Sequence, residues 1–344
     1  MNPDFTNIFI DGVLMQVHVS FWSGAKILRP EDLGLKPEQI AAAYKLGRKM
    51  LIPAEIIRAF RRIEGQARRL VEENSFSFPI GNASFVTRRS FTKVNKRLEE
   101  LKAEYMNLVE NLIAKYEQYR QEILPVYQDA AETAFLTSQP SMIEGSLEGF
   151  DASKKEFIQK FLDRIASYYP AVDSLRKRFS LDWDVYEIAA PQARETDATS
   201  VMESEEERTR VVAEARAQMA VKVNGFVTDV VKVLRQEAVD VCSKIVTAIK
   251  EGKVVRSTTV SSLKGFIEKF RDMNFVGDQT IEAQLNAVHA ELLDGRPENV
   301  FVEDMDLREE LGRRLAVVVE EAGKLTDSDL NNVTGGYNRK VAWR

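Results

Sequence analysis

Cysteine and histidine are almost missing from this 344-residue chain, which has one cysteine, Cys242, and two histidines, His18 and His289. A lone thiol closes no internal disulfide, and this set is too small for a zinc site of the cysteine and histidine type. Cys242 lies among Val239, Val241 and Ile245 with no cationic cluster beside it in sequence, which predicts a buried, inert thiol rather than a reactive one. Neither histidine has a nucleophile or paired carboxylate at a recognisable spacing, so both are expected to be structural or surface residues. Long apolar runs are also lacking: nothing approaches the ~18 residues that span a bilayer. The start MNPDFTNIF has neither a basic stretch nor an apolar signal core. The expectation is a cytoplasmic protein without a membrane partner, and the absence of an apolar hairpin argues against a pore-forming protein.

Phosphate-binding loops are poorly represented. Gly145-Ser-Leu-Glu-Gly149 has the glycines but neither a preceding strand nor a following Lys-Ser/Thr, and Gly335-Gly336 is weaker still. The acidic run Glu203, Glu205, Glu206 and Glu207 matches no calcium loop and leads into a helix, whose positive N-terminal end favours carboxylates without any ligand. No catalytic, cofactor-binding or metal-binding residues are therefore assigned, and the chain is expected not to be an enzyme.

What is abundant is helix-forming sequence, with 44% hydrophobic and 29% charged residues. The net charge of −5 is uneven: residues 1–100 hold 16 Lys and Arg against 11 Asp and Glu, so the remainder carries −10. From Thr92 to Phe135, apolar residues at Val94, Leu98, Leu101, Tyr105, Leu108 and Leu112 alternate steps of four and three, which stack into one seam on a helix. An extra step of four through Tyr116 precedes Tyr119, Ile123, Val126 and Ala130, a stutter, and Pro125 predicts a kink or break. A second long helix, roughly 205–251, carries Met219, Val223, Phe226, Val230, Leu234, Ala238, Val241, Ile245 and Ala248, and is expected to pair with the first.

Around these lie shorter elements. Asn7 to Val19 reads as a hairpin turning at Asp11-Gly12. Helices are expected from Pro37 through Leu46, from Pro53 to Asn74, from Asp151 or Ser153 to before Pro170, over 172–183, and at about 261–273, 279–293 and 304–324, with Asp278 as a cap. The fold class is mainly α: an elongated bundle or coiled coil with a small N-terminal β-hairpin. Four regions follow: residues 1–90 with a basic helix face, the long helices of 91–252 with an acidic mobile loop at about 191–207, short helices over 253–330, and a loosely ordered tail, 331–344.

The basic face is the main candidate site. On the helix after Pro53, Ile56, Ile57, Phe60, Ile63, Ala67, Leu70 and Val71 form one side, and Arg58, Arg61, Arg62, Arg68 and Arg69 fall roughly opposite. Arg88, Arg89, Lys93, Lys96 and Arg97 add charge downstream, and Phe76, Phe78 and Phe85 between the two clusters have the rings to stack on bases. Three readings stay open: a solvated face, a surface for an acidic protein, and a nucleic-acid surface.

Four stretches are similar to the family called domain of unknown function 3150, found in phages and mobile bacterial elements: Ile10 to Trp22 (IDGVLMQVHVSFW), Glu31-Asp-Leu-Gly34, Gly47-Arg-Lys-Met-Leu-Ile-Pro53, and Phe266 to Asp278. The resemblance implies no active-site residues. It implies a setting beside ATPases of the MoxR type and proteins with a von Willebrand factor A domain. The expected function is that of a non-enzymatic helical scaffold or accessory protein that binds other proteins, among them a MoxR-type ATPase, or itself through its coiled-coil seams. The alternative is a nucleic-acid-associated protein using the arginine face.

Overall fold

The computed structural model describes residues 8–81, 83–138, 147–188, 205–324, 330 and 333. The expected mobile loop, apart from its last three residues, and nearly all of the expected tail lie outside the described residues. The chain is predominantly helical, with a small antiparallel sheet. It divides into two compact units, each discontinuous in sequence: the first comprises Met1–Gln16, Leu70–Lys96 and Asp184–Arg344, the second Val17–Arg69 and Arg97–Trp183.

The N-terminus departs from the expected hairpin. Ile8–Asp11 is a single helical turn (α1), and Gly12–Ser20 is a strand (β1). Asp-Gly makes a two-residue hairpin turn only when its residues take positive φ, and Gly12 is not among the positive-φ glycines. Gly12 answers a different need: a Cβ there would lie 2.4 Å from the Phe85 ring and 2.6 Å from the Val86 carbonyl oxygen. The partner of β1 is therefore distant in sequence.

A two-stranded ribbon follows, Ala25–Ile27 (β2) antiparallel to Arg48–Met50 (β3). The helix expected from Pro37 is reduced to a 3₁₀ turn, Pro37–Gln39. Ile40 is only half-buried and Tyr44 is 73% exposed, so this segment has no apolar face to bury, and short helices without one are unstable.

Ala54–Glu73 (α2) matches expectation closely. Phe76–Ser77 (β4) and Ser84–Thr87 (β5) follow, and the sheet order is β4-β5-β1 with a later strand beyond β1. The β1–β5 register runs from Gly12 opposite Thr87 to Met15 opposite Ser84.

Arg88–Ala114 (α3) and Tyr116–Ser138 (α4) realise the first long helix. Its interruption falls at Lys115, beside the stutter, and α4 runs through Pro125. Helical hydrogen bonds span Lys115 on both sides, Lys115 N–H to Asn111 at 3.2 Å and Tyr119 N–H to Lys115 at 3.0 Å. The buried seam is Val94, Leu98, Leu101, Tyr105, Val109, Leu112 and Tyr116, then Tyr127, Ala131, Ala134 and Phe135. Tyr119 and Ile123 are half-buried, but Val126, expected inside, is 62% exposed and Tyr127 is buried in its place, so the face turns by one residue after Ile123.

Leu147–Ala166 (α5) packs on α4 and starts before the expected caps, with Phe135 against Phe150 and Phe157. The expected helix over 172–183 is split into Val172–Arg176 (α6) and Ser180–Tyr186 (β6), the strand beyond β1 in the sheet. The period-two alternation of Leu181, Trp183 and Val185 carries the strand signal.

Glu205–Lys250 (α7) is the second long helix. It does not wait for the first long helix as partner: Met305–Gly323 (α11) lies along it, joined by Ser257–Met273 (α8). Gln279–Val288 (α9) runs into a π-helical turn, His289–Leu293, and Val300–Glu303 forms α10. The core of the first unit includes Phe226, Val230, Leu234, Ala238 and Cys242 of α7 and Leu311, Leu315 and Val318 of α11. Asp304 caps α11 by accepting the Leu307 N–H at 2.9 Å. Asp278 stands at the N-cap of α9, but its side chain caps nothing and is used elsewhere.

Candidate functional site

α2 is positioned by its apolar side. Pro53 precedes it and accepts the Ile56 N–H at 3.2 Å, and Ile57, Phe60, Ile63 and Ala67 are at most 2% exposed. With that side fixed in the second unit, Arg58, Arg61, Arg62, Arg68 and Arg69 are all exposed. Arg68 donates to Glu64, one helical turn earlier, at 3.1 Å. No ion pair among the described residues engages Arg58, Arg61, Arg62 or Arg69. The four guanidinium groups are held on a regular helix with their hydrogen-bonding capacity turned to solvent.

The downstream cations differ. In the first unit Arg88 donates to the Phe9 carbonyl at 3.3 Å and Arg89 to the Arg271 carbonyl at 3.1 Å. Lys93 pairs with Asp272 at 2.6 Å, a hydrogen bond that raises the ammonium pKa above its ordinary value. In the second unit Arg97 bonds Glu100 at 2.7 Å. Phe76, Phe78 and Phe85 are 5%, 3% and 0% exposed and pack against Phe226, so none has a face free for a base. The stacking half of the nucleic-acid pattern is thereby corrected: these rings build the core.

Sequence reading missed a hollow of about 270 Å³ in the first unit, lined by residues including Asp11, Arg88, Arg89, Asp272, Asn274 and Glu282. Three segments far apart in sequence form it, which is why no local spacing announced it. Its polar groups are knitted together: Thr87 Oγ1 donates to the Asp272 carbonyl at 2.7 Å, and Asn274 Nδ2 to Glu282 at 2.6 Å. Among the described residues no group of three or more His, Cys, Asp or Glu has a metal-holding arrangement. No helix among them is long and apolar enough to cross a membrane.

Among the described residues each unit also encloses one buried aspartate. In the second, Asp32 is 4% exposed and accepts Lys49 Nζ at 2.6 Å, Arg164 at 2.8 Å and the Arg29 N–H at 2.8 Å. The Tyr168 ring lies 4.8 Å from the Lys49 ammonium. In the first, Asp278 is 1% exposed and accepts Arg235 at 2.6 and 3.3 Å, while its N–H donates to Asn274 Oδ1 at 2.9 Å. Both carboxylates are engaged at both oxygens, Asp32 by two cations and a backbone N–H and Asp278 by Arg235 alone, an arrangement that fixes geometry rather than performing chemistry.

Compared with known families, residues 11–317 match the model described as protein of unknown function (DUF3150). The chain belongs to the DUF3150 family. No curated protein and no solved structure matches it. In this DUF3150 protein, the stretches that carry the resemblance supply Asp32, Lys49, Asn274 and Asp278 of the two buried networks, whereas Arg29, Arg164 and Arg235 lie outside them. Gly34, in one of them, has φ +71°, and a Cβ there would meet the Ala134 carbonyl oxygen at 2.1 Å. Trp22, ending another, is 6% exposed between Tyr116 and Tyr169. The family-like residues thus hold the fold, whereas the arginine face lies outside those stretches.

Proposed function

We propose that this protein is a non-enzymatic helical accessory or scaffold protein, and that α2 is its docking element for an acidic protein surface, with an ATPase of MoxR type as the most concrete partner. The observation that carries the reading is the set of four exposed, unpaired arginines on a helix whose other side is anchored in a core. The helix backbone is organised before a partner arrives, so the ordering cost of binding is confined to the arginine side chains. Its chain segment is also the most basic: residues 17–69 hold 11 Lys and Arg against 5 Asp and Glu, within an acidic chain. Complementary fields of this kind accelerate encounter and are screened by salt.

Nucleic acid is the second reading, favoured by the same arginines and disfavoured by the loss of Phe76, Phe78 and Phe85 as stacking surfaces. Self-association through the coiled-coil seams is disfavoured because those seams are largely filled by the chain's own side chains. Affinity capture from the native host with mass spectrometry tests the proposal. An acidic protein recovered with the wild type, and lost with R58Q/R62Q/R69Q, supports it. Recovery of nucleic acid instead moves the second reading ahead. The purified protein is expected to hydrolyse neither ATP nor nucleic acid, and hydrolysis abolished by a point mutation in this chain would overturn the non-enzymatic reading.

A further inference from the structure

A glycine interrupts the arginine face, and nothing in the surrounding fold requires it. At about 100° per residue, Arg58, Arg62, Gly65 and Arg69 fall in one narrow stripe along α2, with Arg61 and Arg68 to one side. Glycine in a helix interior is less stable than alanine, so its presence there needs a reason. Gly312 in α11 has one: a Cβ would meet Ile249 at 3.2 Å, and the glycine lets α11 and α7 approach. At Gly65 the nearest atom to an added Cβ is the flexible Arg69 guanidinium at 4.0 Å. Gly225 in α7 and Gly265 in α8 are similarly open, but neither stands within a row of unpaired cations. Among the described residues the combination of an open helical glycine and three flanking unpaired arginines is particular to α2.

We propose that Gly65 forms a saddle in which an acidic helix of the partner crosses α2 at close range, its carboxylates taken by Arg58, Arg62 and Arg69. This deepens the reading of α2 as a protein-docking face and rests on it. The missing side chain is what selects a helix over other polyanions. Guanidinium tips reach a phosphate backbone from a distance, where a Cβ at the helix surface makes no difference. A crossing helix that packs backbone against backbone needs a small residue at the crossing point. Carboxylates on that helix would receive the planar, two-pronged contact that arginine makes and lysine does not.

The test uses the full chain and a fluorescein-labelled, alanine-based helical peptide bearing Glu at positions i, i+4 and i+11 and Ala at i+7. A scrambled peptide of equal charge and a DNA duplex serve as comparators. The proposal expects the patterned peptide to bind best, Gly65→Leu and Gly65→Gln each to weaken it at least tenfold with an unchanged or raised melting temperature, and R58Q/R62Q/R69Q to abolish binding. Wild-type affinity in both Gly65 variants, with loss in the triple arginine variant, overturns the saddle and leaves the docking face standing. Equal binding of the scrambled peptide, or tighter binding of the duplex, also overturns the saddle. Unchanged peptide binding in the triple variant overturns the docking face as well.

Discussion

The two units close their cores with different aromatic chemistry. In the first, Phe76, Phe78, Phe85, Phe226 and Phe275 meet ring to ring, with centroids 5.0 to 6.4 Å apart. In the second, four tyrosines reach backbone carbonyls: Tyr105 to Ser20 at 2.5 Å, Tyr116 to Pro170 at 3.0 Å, Tyr169 to Leu51 at 2.6 Å, and Tyr127 to Met50. Phe76 and Phe85 stand on paired strands and Phe226 on a long helix, where backbone groups bond one another and a ring without a polar group suffices. The second unit includes irregular chain around β2 and β3, where carbonyls outside regular elements need donors, and a phenol supplies one while adding apolar area. The buried ion pairs differ in parallel: Arg235 with Asp278 is closed, with side chains 6% and 2% exposed, whereas Asp32 is shared by Lys49 and by Arg164, the latter 34% exposed.

The largest effects should come from breaking those pairs. Asp278→Ala leaves Arg235 buried without its counter-charge and is expected to cost about 3–5 kcal/mol in denaturant melts. Asp32→Ala should fall toward the lower end of the same range, since Arg164 can turn to water while Lys49 cannot. The double variant R235M/D278L should recover most of the loss, because replacing a buried pair by apolar residues of similar volume is often neutral. A double variant as unstable as Asp278→Ala would show that the pair specifies the packing of α7 and α9 beyond its charges.

A smaller, pH-dependent effect should separate the units. Burial raises the pKa of all four tyrosines, that of Tyr116 and Tyr127 to about 12. A phenol whose folded pKa is raised contributes stability that is fully present below its unfolded value of about 10 and is lost as pH rises through the folded value. Alkaline unfolding between about pH 10 and 12 should therefore begin in the second unit, seen as cooperative rather than independent tyrosine ionisation in ultraviolet titration. Cys242 gives the complementary probe. Burial pushes its thiol to about 12, so in the native core the reactive thiolate is strongly disfavoured at pH 8. Disulfide-exchange reagents should label Cys242 only as the first unit opens, and fast labelling of the native protein would contradict its placement in that core.

The smallest change in stability is expected on α2. R58Q/R62Q/R69Q should leave the melting temperature nearly unchanged, since exposed charges usually contribute about 0–1 kcal/mol each. Loss of several kcal/mol would show these arginines to be engaged in folding rather than free for a partner.

Much of the helical content was legible in the sequence because amphipathic period needs only local spacing. The steps of three and four across Val94 to Leu112 and Val223 to Ile245 mark α3 and α7, and the apolar side of α2 places its five arginines outside without reference to any other element. Local sequence could not decide which distant segments meet. Asp11-Gly12 carries the composition of a turn, yet the approach of Phe85 and Val86 makes Gly12 part of a strand. Phe76, Phe78 and Phe85 have the composition of a stacking surface, and only the arrival of α7 turns them into core. The same holds for Asp32 and Asp278, whose cationic partners lie 17, 132 and 43 residues away. A helix is written in its own hydrogen bonds and period, whereas burial of a charge or a ring depends on tertiary contacts that only the folded chain supplies.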